Sequence, residues 1–443
     1  MENIALHNLG CKVNAYEMDV MQQKLQGKGY NIVPFDEQAD IYIINTCTVT
    51  NIADRKSRQM LHRAKARNPE AIVVAVGCFV QTGGEEIRKD PAIDLAIGNN
   101  RKGEIVELIE EYLRERKGRG AGEEHVCESR IYDVNQPCAY EEMTLTHTAG
   151  HTRAYIKIQD GCNQFCTYCI IPYARGRVRS RRQEEIVKEI RGLADKGYQE
   201  IVLTGIHISS YGLDFQDGSS LLTLLETIHE VDGISRIRLG SLEPRIVTDD
   251  FAERLGLLKK ICPHFHLSLQ SGCDATLKRM NRHYTTGEYS ECVKRLRRAF
   301  ENPAITTDVI VGFPGETEEE FEETKAFLKQ IGFYEMHVFR YSRRKNTKAA
   351  GMKDQIPDSV KAQRSSELLL LEKEQSKAFR SDYINKEEEV LFEEEKRFHD
   401  KIYQIGHTTR YIRVAKACDE SLSNQKVKGK LTKFLTDDLL FME

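Results

Sequence analysis

Residues 161–169 read Gly161-Cys162-Asn163-Gln164-Phe165-Cys166-Thr167-Tyr168-Cys169, which places three cysteines in a C-x3-C-x2-C pattern. The stretch follows a strand-like run at residues 154–158, so it predicts a loop at the C-terminal end of a strand, where (β/α) barrels place their active sites. Three thiolates on one loop can bind three irons of a [4Fe–4S] cluster, whereas a structural zinc or a closed cluster usually takes four ligands. The spacing therefore predicts a cluster with one open iron.

An open iron has a specific use in radical chemistry. The amino and carboxylate groups of S-adenosylmethionine can chelate it, and an electron from the reduced cluster can split the sulfonium into methionine and a 5′-deoxyadenosyl radical. In this context the loop resembles the signature of the radical S-adenosylmethionine superfamily. The alternative is three buried cysteines or half of a zinc ribbon, but no second cysteine pair follows at ribbon spacing.

The sequence around this loop repeats a strand-then-helix pattern six times. Helices at residues 184–193 and 289–300 carry apolar residues at helical spacing, which indicates one buried face. The strand-like runs lie at residues 154–158, 200–203, 236–239, 265–269, 307–311 and 336–339. We therefore predict a central domain, residues 148–374, that forms a partial (β/α)6 barrel.

The first 113 residues alternate short apolar runs with helical patterns, which predicts a Rossmann-like parallel α/β domain. Cys11, Cys47 and Cys78 each follow a strand-like run. Neighbouring parallel strands end at the same edge of a sheet, so these cysteines should meet there. Any one of them alone would be a buried thiol. Three in the same context predict a second three-cysteine [4Fe–4S] cluster, whose open iron can bind a sulfur species.

The rest of the chain divides into a connector and a small terminal domain. Residues 114–147 lose the alternating pattern and begin with a charged, glycine-rich run, which predicts a flexible linker. Residues 377–443 show five short strand-like runs, which predict a small antiparallel β-barrel. We expect the six cysteines outside the two trios to be thiols that bind no metal. These are Cys127, Cys138, Cys262, Cys273, Cys292 and Cys418.

Composition indicates the number of domains and the cellular location more than it indicates the function. The 443 residues are 40% hydrophobic and 30% charged, as in globular proteins of several domains. The N-terminal residues lack the basic and apolar segments of a secretory signal, and no apolar run is long enough to span a membrane. We expect a cytoplasmic protein with reduced thiols. The net charge of −3 means that nucleic-acid binding would need local basic patches.

Two three-cysteine sites followed by a small β-barrel resemble the methylthiotransferases over essentially the whole chain outside the connector. Three stretches are most similar to the bacterial branch that acts on N6-threonylcarbamoyladenosine 37 of tRNA. They are Gly10-Cys11-Lys12-Val13-Asn14, the run at residues 170–176 and the run at residues 337–342. The isopentenyladenosine branch usually has Gln-Met-Asn after its first cysteine. Phe79-Val80 departs from the frequent Tyr-Ala after Cys78, next to the cluster.

The resemblance implies two [4Fe–4S] clusters, bound by Cys11, Cys47 and Cys78 and by Cys162, Cys166 and Cys169. It also implies that Gly205, Glu243 and Gln270 contact S-adenosylmethionine or substrate. One S-adenosylmethionine would methylate sulfur on the second cluster, and another would yield the radical that activates C2 of adenine. The last domain resembles the RNA-binding barrel called TRAM.

Basic residues cluster after the Cys169 loop and after the sixth strand, where they could neutralise phosphates of the anticodon loop. Tyr173 or Tyr341 could stack on an extruded base. The candidate RNA contacts are Arg175, Arg177, Arg343, Arg344, Lys428 and Lys430. Expected partners are tRNA, an electron donor such as flavodoxin or ferredoxin, and a sulfur donor. We expect a monomer with no membrane contact.

Other functions remain open from the sequence. Related branches methylthiolate isopentenyladenosine 37 or an aspartate of a ribosomal protein, and the latter also has two clusters and a terminal barrel. A non-catalytic iron–sulfur protein that binds RNA or acts as a sensor is a further alternative. It would form no deoxyadenosine when its reduced form meets S-adenosylmethionine.

Overall fold

The computed structural model describes residues 2–118, 127–148, 152–398 and 401–443. Its first unit is a six-stranded parallel sheet in the order β2-β1-β3-β4-β5-β6. The strands are β1 (Asn3–Asn8), β2 (Asn31–Val33), β3 (Ile41–Thr46), β4 (Ile72–Gly77), β5 (Leu95–Ile97) and β6 (Glu128–Arg130). The helices are α1 (Lys12–Gly27), α2 (Asn51–Arg67), α3 (Cys78–Gly83), α4 (Glu85–Arg88) and α5 (Ile105–Gly118).

The apolar runs of this region explain the sheet. Every residue of β3 and β4 is buried, because helices cover both faces of a central parallel strand. The sheet separates two apolar layers, with Ile43 and Val74 in one and Ile44 and Val73 in the other. The predicted alternation of strands and helices is confirmed.

The predicted linker is partly wrong. Helix α5 continues through residues 114–118, and residues 119–126 lie outside the described residues. Strand β6 then adds the sixth strand to the sheet, while Met143 and Leu145 enter one of its apolar layers. The sequence did not predict β6, because a strand of three residues is too short to show a periodic pattern. The glycine-rich run before it also favoured a linker.

The central unit contains six parallel strands followed by helices. The strands are β7 (Arg153–Asp160), β9 (Glu200–Gly205), β10 (Arg236–Leu239), β11 (His264–His266), β12 (Ala304–Val311) and β13 (Glu335–Arg340), and β8 (Arg179–Ser180) pairs antiparallel to β7. They form sheets β10-β9-β7-β8 and β11-β12-β13, joined by isolated parallel bridges such as Leu242 to Leu267. All six predicted strands are present.

The helices of the central unit are α6 (Ile171–Arg175), α7 (Gln183–Ala194), α8 (Leu221–His229), α9 (Asp249–Leu257), α10 (Asp274–Arg279), α11 (Thr286–Ala299), α12 (Glu318–Ile331) and α13 (Asp358–Ser381). The helices from α7 to α13 cover one face of these strands, and α6 lies against α3 of the first unit. Short 3-10 helices lie at Lys102–Glu104, Ile208–Ser210, Pro244–Ile246 and Lys348–Gly351. Alternate strand residues, such as Ile156 and Val309, pack on the helices in the largest apolar cluster. We call the opposite face of the strands the inner face.

The last unit is a closed barrel in the order β14-β15-β16-β18-β17. Its strands are β14 (Glu387–Phe398), β15 (Lys401–Thr408), β16 (Arg413–Ala417), β17 (Lys426–Thr436) and β18 (Leu439–Met442). The sequence predicted antiparallel pairing throughout, but β16 and β18 are parallel. The five strands are those predicted, but β18 lies beside β16, and this order makes the pair parallel. Short strand patterns in a sequence do not show which strands are neighbours.

The closed barrel is fixed to the central unit by hydrogen bonds to its backbone. Arg236 donates to the carbonyls of His407 and Glu389 at 3.0 and 2.8 Å, and Arg238 donates to Thr409 at 3.0 Å. The ring of Tyr411 lies under both Arg153 and Arg238, whose guanidinium carbons are 5.0 and 4.7 Å from its centroid. A loop of the barrel thus closes the N-terminal end of the central strands. No described helix has the length and apolar character needed to cross a bilayer.

A buried ion network fixes the first unit against the inner face of β7. Glu17 of α1 pairs with Lys102, with Lys157 at 2.7 Å and with Arg175 at 2.8 Å. Asp160 pairs with Lys157 at 2.6 Å and with Arg175 at 3.1 Å. Burial alone would raise the pKa of Glu17, but Arg175, Lys102 and Lys157 together hold it well below its usual range. Both carboxylates are therefore ionised at neutral pH.

Replacing Glu17→Gln should destabilise the protein, because it leaves three buried cations with Asp160 as the remaining carboxylate of the network. We expect a loss of about 3 kcal/mol and a lower urea midpoint, measured by circular dichroism on cluster-free protein. Glu85→Gln is the matched control, since its exposed pair with Lys89 should contribute about 0.5 kcal/mol or less. Equal midpoints for the two variants would contradict the role of the network.

Candidate iron–sulfur and substrate site

The Cys162 loop begins where β7 ends, and a glycine makes this turn possible. Gly161 has φ +71°, and a Cβ atom there would lie 1.8 Å from the carbonyl oxygen of Arg177. The backbone N–H of Gly161 donates to Asp160 at 2.8 Å, and the N–H of Cys162 donates to Gly176 at 3.0 Å. The first cysteine therefore sits on a loop that is held at both sides.

Polar groups point at the three sulfurs of this loop. Arg282 donates to Cys166 Sγ at 3.2 Å, and the backbone N–H of Gln164 lies 3.5 Å from Cys162 Sγ. Burial raises the pKa of Cys162 to about 11 and that of Cys169 to about 12, and the nearby Cys166 raises both. The three thiols are thus close enough to repel one another as thiolates, and a metal centre would relieve that repulsion.

The second trio lies at the C-terminal edge of the first sheet, as the strand-end pattern predicted. Cys11 is the N-cap of α1, Cys47 follows β3, and Cys78 begins α3 directly after β4. Gly77 has φ +99°, and a Cβ atom there would lie 2.9 Å from the carbonyl oxygen of Thr46. Asn14 ties the neighbouring loops together, because its amide donates to the carbonyls of Leu9 and Thr46 at 2.7 and 3.1 Å.

These sulfurs also have polar neighbours. Arg175 Nε donates to Cys78 Sγ at 3.3 Å, and Asn99 Nδ2 lies 3.5 Å from the same sulfur. Burial raises the pKa of Cys47 to about 11, with Cys78 and Cys11 adding to the rise. The three thiols therefore form a second group of mutually interacting sulfurs, and Arg175 connects this group to the ion network at β7.

The donor chemistry of the two trios fits an iron–sulfur cluster, since each trio offers three thiols. Among described residues, the three-ligand group whose donor atoms all lie within 4.8 Å of one another is His266, Asp308 and His337. Neither cysteine trio is that compact, and a [4Fe–4S] cube is larger than one ion. Each trio offers three cysteine ligands, which suits a [4Fe–4S] cluster with one iron left open.

The structure corrects three of the predicted RNA contacts. Arg175 is fully buried in the ion network, and Arg344 is buried against Asp54 and Thr48, with Nη2 2.7 Å from Thr48 Oγ1. Tyr341 is buried beside Phe313 and cannot stack on a base. Arg175 and Arg344 connect the central unit to the first unit, and Tyr341 packs within the central unit. A run of charged residues in the sequence does not reveal which members have partners elsewhere in the fold.

The other predicted RNA contacts are exposed. Arg177 lies over the ring of Phe165 at 4.5 Å, and Arg343 is exposed near the end of β13. Lys428 and Lys430 are exposed on β17, opposite Glu389 and Glu387 of β14. Tyr173 is 42% exposed. These positions remain available to a large partner.

The three residues predicted to contact cofactor or substrate follow the C-terminal ends of central strands. Gly205 ends β9, and a Cβ atom there would lie 2.9 Å from Ile208 and 3.0 Å from the Gln159 carbonyl. Glu243 is buried and accepts from Arg245 at 3.1 Å. Gln270 is buried with φ +71°, and its backbone exchanges hydrogen bonds with Asp308 and Ile310. All three have structural roles in loops beside the Cys162 loop.

Sequence reasoning missed several functional candidates. Arg282 at Cys166, the network residues Glu17 and Asp160, and the group of His266, Asp308 and His337 were not predicted. A signal for the last group exists in the alternation of β11, where His264 and His266 alternate with Phe265 and Leu267. Polar residues at the inward positions of a buried strand indicate a polar cavity.

Comparison with known proteins places both cysteine trios in matched regions. Residues 156–328 match the radical SAM superfamily, and residues 3–98 match a family described as uncharacterized protein family UPF0004. The structure is similar to that of the radical S-adenosylmethionine methyltransferase TsrM from Kitasatospora setae. The TM-score is 0.55 at 16% identity, covering 76% of this chain and 73% of that one. This similarity shows the fold, and the match at residues 156–328 assigns the central unit to the radical S-adenosylmethionine superfamily, a class that uses a [4Fe–4S] cluster and S-adenosylmethionine.

Full-length relatives define the family within that class. The threonylcarbamoyladenosine tRNA methylthiotransferase MtaB of Bacillus subtilis is 41% identical over 98% of this chain and 94% of its own. The tRNA-2-methylthio-N(6)-dimethylallyladenosine synthase of Moorella thermoacetica is 36% identical over 96% and 95%. The chain belongs to the radical S-adenosylmethionine methylthiotransferase family of transferases.

Replacing Gly161→Ala should damage the first cysteine loop, because the new methyl group would overlap the Arg177 carbonyl and strain the backbone. We expect a loss of more than about 2 kcal/mol in unfolding free energy and less iron after reconstitution. Gly192→Ala in α7 is the control, since no atom lies within 4 Å of its Cβ position. It should gain up to about 1 kcal/mol from helix propensity. Urea unfolding and iron analysis of both variants test this contrast.

Proposed function

We propose that the protein methylthiolates C2 of N6-threonylcarbamoyladenosine 37 in tRNA. The observation that carries the proposal is the presence of two three-cysteine sites in one chain, linked through Arg175, in a protein 41% identical to a threonylcarbamoyladenosine tRNA methylthiotransferase. The motif Cys11-Lys12-Val13-Asn14 and the run from His337 to Ser342 support this branch over the isopentenyladenosine branch.

The residues present fit the two clusters. Cys162, Cys166 and Cys169 would hold the cluster that binds S-adenosylmethionine, and Cys11, Cys47 and Cys78 would hold the second cluster. When bound, these groups supply the radical that activates C2 and the methylthio group that is installed there. Gly205, Glu243 and Gln270 are proposed to line the site of S-adenosylmethionine or substrate, because their loops face the same end of the strands.

Charged residues of the protein orient the two cysteine trios and balance their charge. Arg282 donates to Cys166 Sγ, and Arg175 donates to Cys78 Sγ, so each trio has one guanidinium that is hydrogen-bonded to a sulfur. Asp160 accepts from the N–H of Gly161 and from Arg175, and it thereby links the two loops. Hydrogen bonds from neighbouring residues thus hold both sets of ligands.

We propose that the closed barrel is a TRAM domain and that it binds the tRNA backbone. Lys428 and Lys430 are exposed on it, while Arg177 and Arg343 extend the basic surface toward the cysteine loops. Tyr173 is an exposed aromatic residue near the Cys162 loop and is available to stack on a base. The reductant would be a protein such as flavodoxin or ferredoxin, and a separate donor would supply sulfur. The protein would act as a monomer in the cytoplasm.

An anaerobic assay tests the proposed reaction. Reconstituted protein, reductant and S-adenosylmethionine are incubated with tRNA that bears threonylcarbamoyl- or isopentenyladenosine, and the digested nucleosides are analysed by mass spectrometry. We expect methylthio product from the threonylcarbamoyl substrate alone. Product from the isopentenyl substrate would reassign the branch. Deoxyadenosine without a modified nucleoside would indicate another substrate, such as a protein aspartate, and absence of both would favour a non-catalytic protein.

Variants of the cysteines separate the two sites within the same assay. Replacing Cys11, Cys47 and Cys78 by Ala should reduce bound iron from about eight to about four atoms and abolish methylthiolation while deoxyadenosine still forms. Replacing the other trio should abolish both products. Cys138→Ala is the control, because Cys138 is exposed outside both trios. Full product yield from the first variant would contradict the assignment.

Replacing both Lys428 and Lys430 by Ala should weaken tRNA binding for every tRNA sequence by a similar factor. If both ammonium groups contact phosphates, the slope of log affinity against log salt should fall by about 2. Filter binding at several salt concentrations measures this slope. Lys89→Ala, an exposed lysine of the first unit, is the control. An unchanged slope in the double variant would show that the barrel lysines make no phosphate contact.

A further inference from the structure

Three side chains from adjacent strands form a polar group on the inner face. His266 ends β11, Asp308 lies in β12, and His337 lies in β13. Asp308 Oδ1 is 3.1 Å from His337 Nδ1, and Asp308 Oδ2 is 3.4 Å from His266 Nε2. The two imidazole rings stack with centroids 5.8 Å apart. We call these three residues the His-Asp-His group.

The His-Asp-His group faces the space between the units rather than the apolar core. The neighbouring residues Met336 and Val338 pack on the helices, so His337 points the other way and is 58% exposed. His266 and Asp308 are less exposed, and they lie behind His337. The group thus presents one imidazole edge to the inner space, supported from behind by a carboxylate.

Hydrogen bonding fixes the orientation of His337. Its Nδ1–H donates to Asp308, which leaves Nε2 directed away from the strand. Asp308 also raises the pKa of His337, while partial burial opposes that rise. Protonated His337 presents an N–H donor with positive charge, and the carboxylate behind it prevents rotation of the ring. This arrangement suits a negatively charged or strongly accepting ligand.

Other cations border the same space. Lys12, which follows Cys11, lies near Arg153 and Arg238. Arg238 and Arg153 are neutralised by Glu200 and Glu393 at 2.9 Å each. Lys12 has no such carboxylate partner among the described ion pairs. Lys12 therefore adds positive charge near His264 of β11, although the whole chain has a net charge of −3.

The two modified adenosines methylthiolated by relatives differ sharply in chemistry. A threonylcarbamoyl group carries a carboxylate, a hydroxyl and a ureido unit, whereas a dimethylallyl group consists of carbon and hydrogen. Burying the apolar group against His337 would leave its outward N–H without a partner, at a cost of about 1–3 kcal/mol. The His-Asp-His group matches the first substituent and penalises the second.

We propose that the His-Asp-His group recognises the threonylcarbamoyl substituent, with His337 donating to its carboxylate. This inference rests on the proposed function and names the part of the site that selects the substrate. His337 is the specificity residue, while Asp308 and His266 are positioning residues that hold its ring. The same three donor atoms could instead bind a divalent metal, and the experiment below separates the two possibilities.

Binding of short RNAs tests the proposal without relying on turnover. Reconstituted protein is titrated with fluorescent anticodon stem-loops that carry threonylcarbamoyladenosine or unmodified adenosine at the same position, and anisotropy gives both affinities. We expect the wild type to prefer the modified RNA about tenfold, as one charge-assisted hydrogen bond would produce. His337→Phe should lose this preference with unchanged affinity for the unmodified RNA, and His337→Gln should keep part of it.

Controls keep the result interpretable. Arg343→Ala, outside the inner face, should change both affinities by the same factor. Iron content and cluster absorbance of reconstituted His337→Phe should match those of the wild type, which shows that its clusters are intact. Two results would overturn the proposal: a preference that survives in His337→Phe, or a stoichiometric zinc or manganese ion that the wild type holds and the variant lacks. Failure of the wild type to form methylthio product on the modified RNA would instead refute the proposed function, since the affinity ratio is measured independently.

Discussion

The buried ion network around Glu17 and Arg175 is the interaction on which the arrangement of both cysteine sites depends. Three of its members are cations, Lys102, Lys157 and Arg175, and two are carboxylates, Glu17 and Asp160. The excess positive charge lies beside Cys78, whose sulfur accepts from Arg175. A thiolate bound to a metal centre would balance it. The network thus holds the first unit against β7 and also balances the charge of Cys78. A substitution in it should affect both roles.

Much of the fold follows from the sequence because its strands are apolar and its helices amphipathic. All six central strands and the strands ahead of Cys11, Cys47 and Cys78 are visible as short apolar runs. The convergence of these cysteines also follows, since strand ends in a parallel sheet share one edge. Strand β6 and the parallel pairing of β16 with β18 do not follow, because three residues carry no period and pairing partners lie far apart in the chain.

The predicted site residues divide in the same way. Cysteines are rare and their spacing carries information, so local pattern suffices to select them. Arginines are common, and their roles depend on partners: Arg175 and Arg177 are two residues apart, yet one is buried against Glu17 and the other is exposed over Phe165. Nothing in the local sequence distinguishes them. The acid that decides the role of Arg175 is 158 residues away.

The attachment of the terminal barrel has a consequence for how a long substrate is measured. Arg236 and Arg238 hold the backbone of its loops, and Tyr411 lies between Arg153 and Arg238, so the barrel is docked rather than tethered. A surface docked in this way keeps a constant separation from the inner face of the central strands. A molecule that contacts both the barrel and the inner face must match that separation. The two surfaces together therefore select substrates by length and shape as well as by local chemistry.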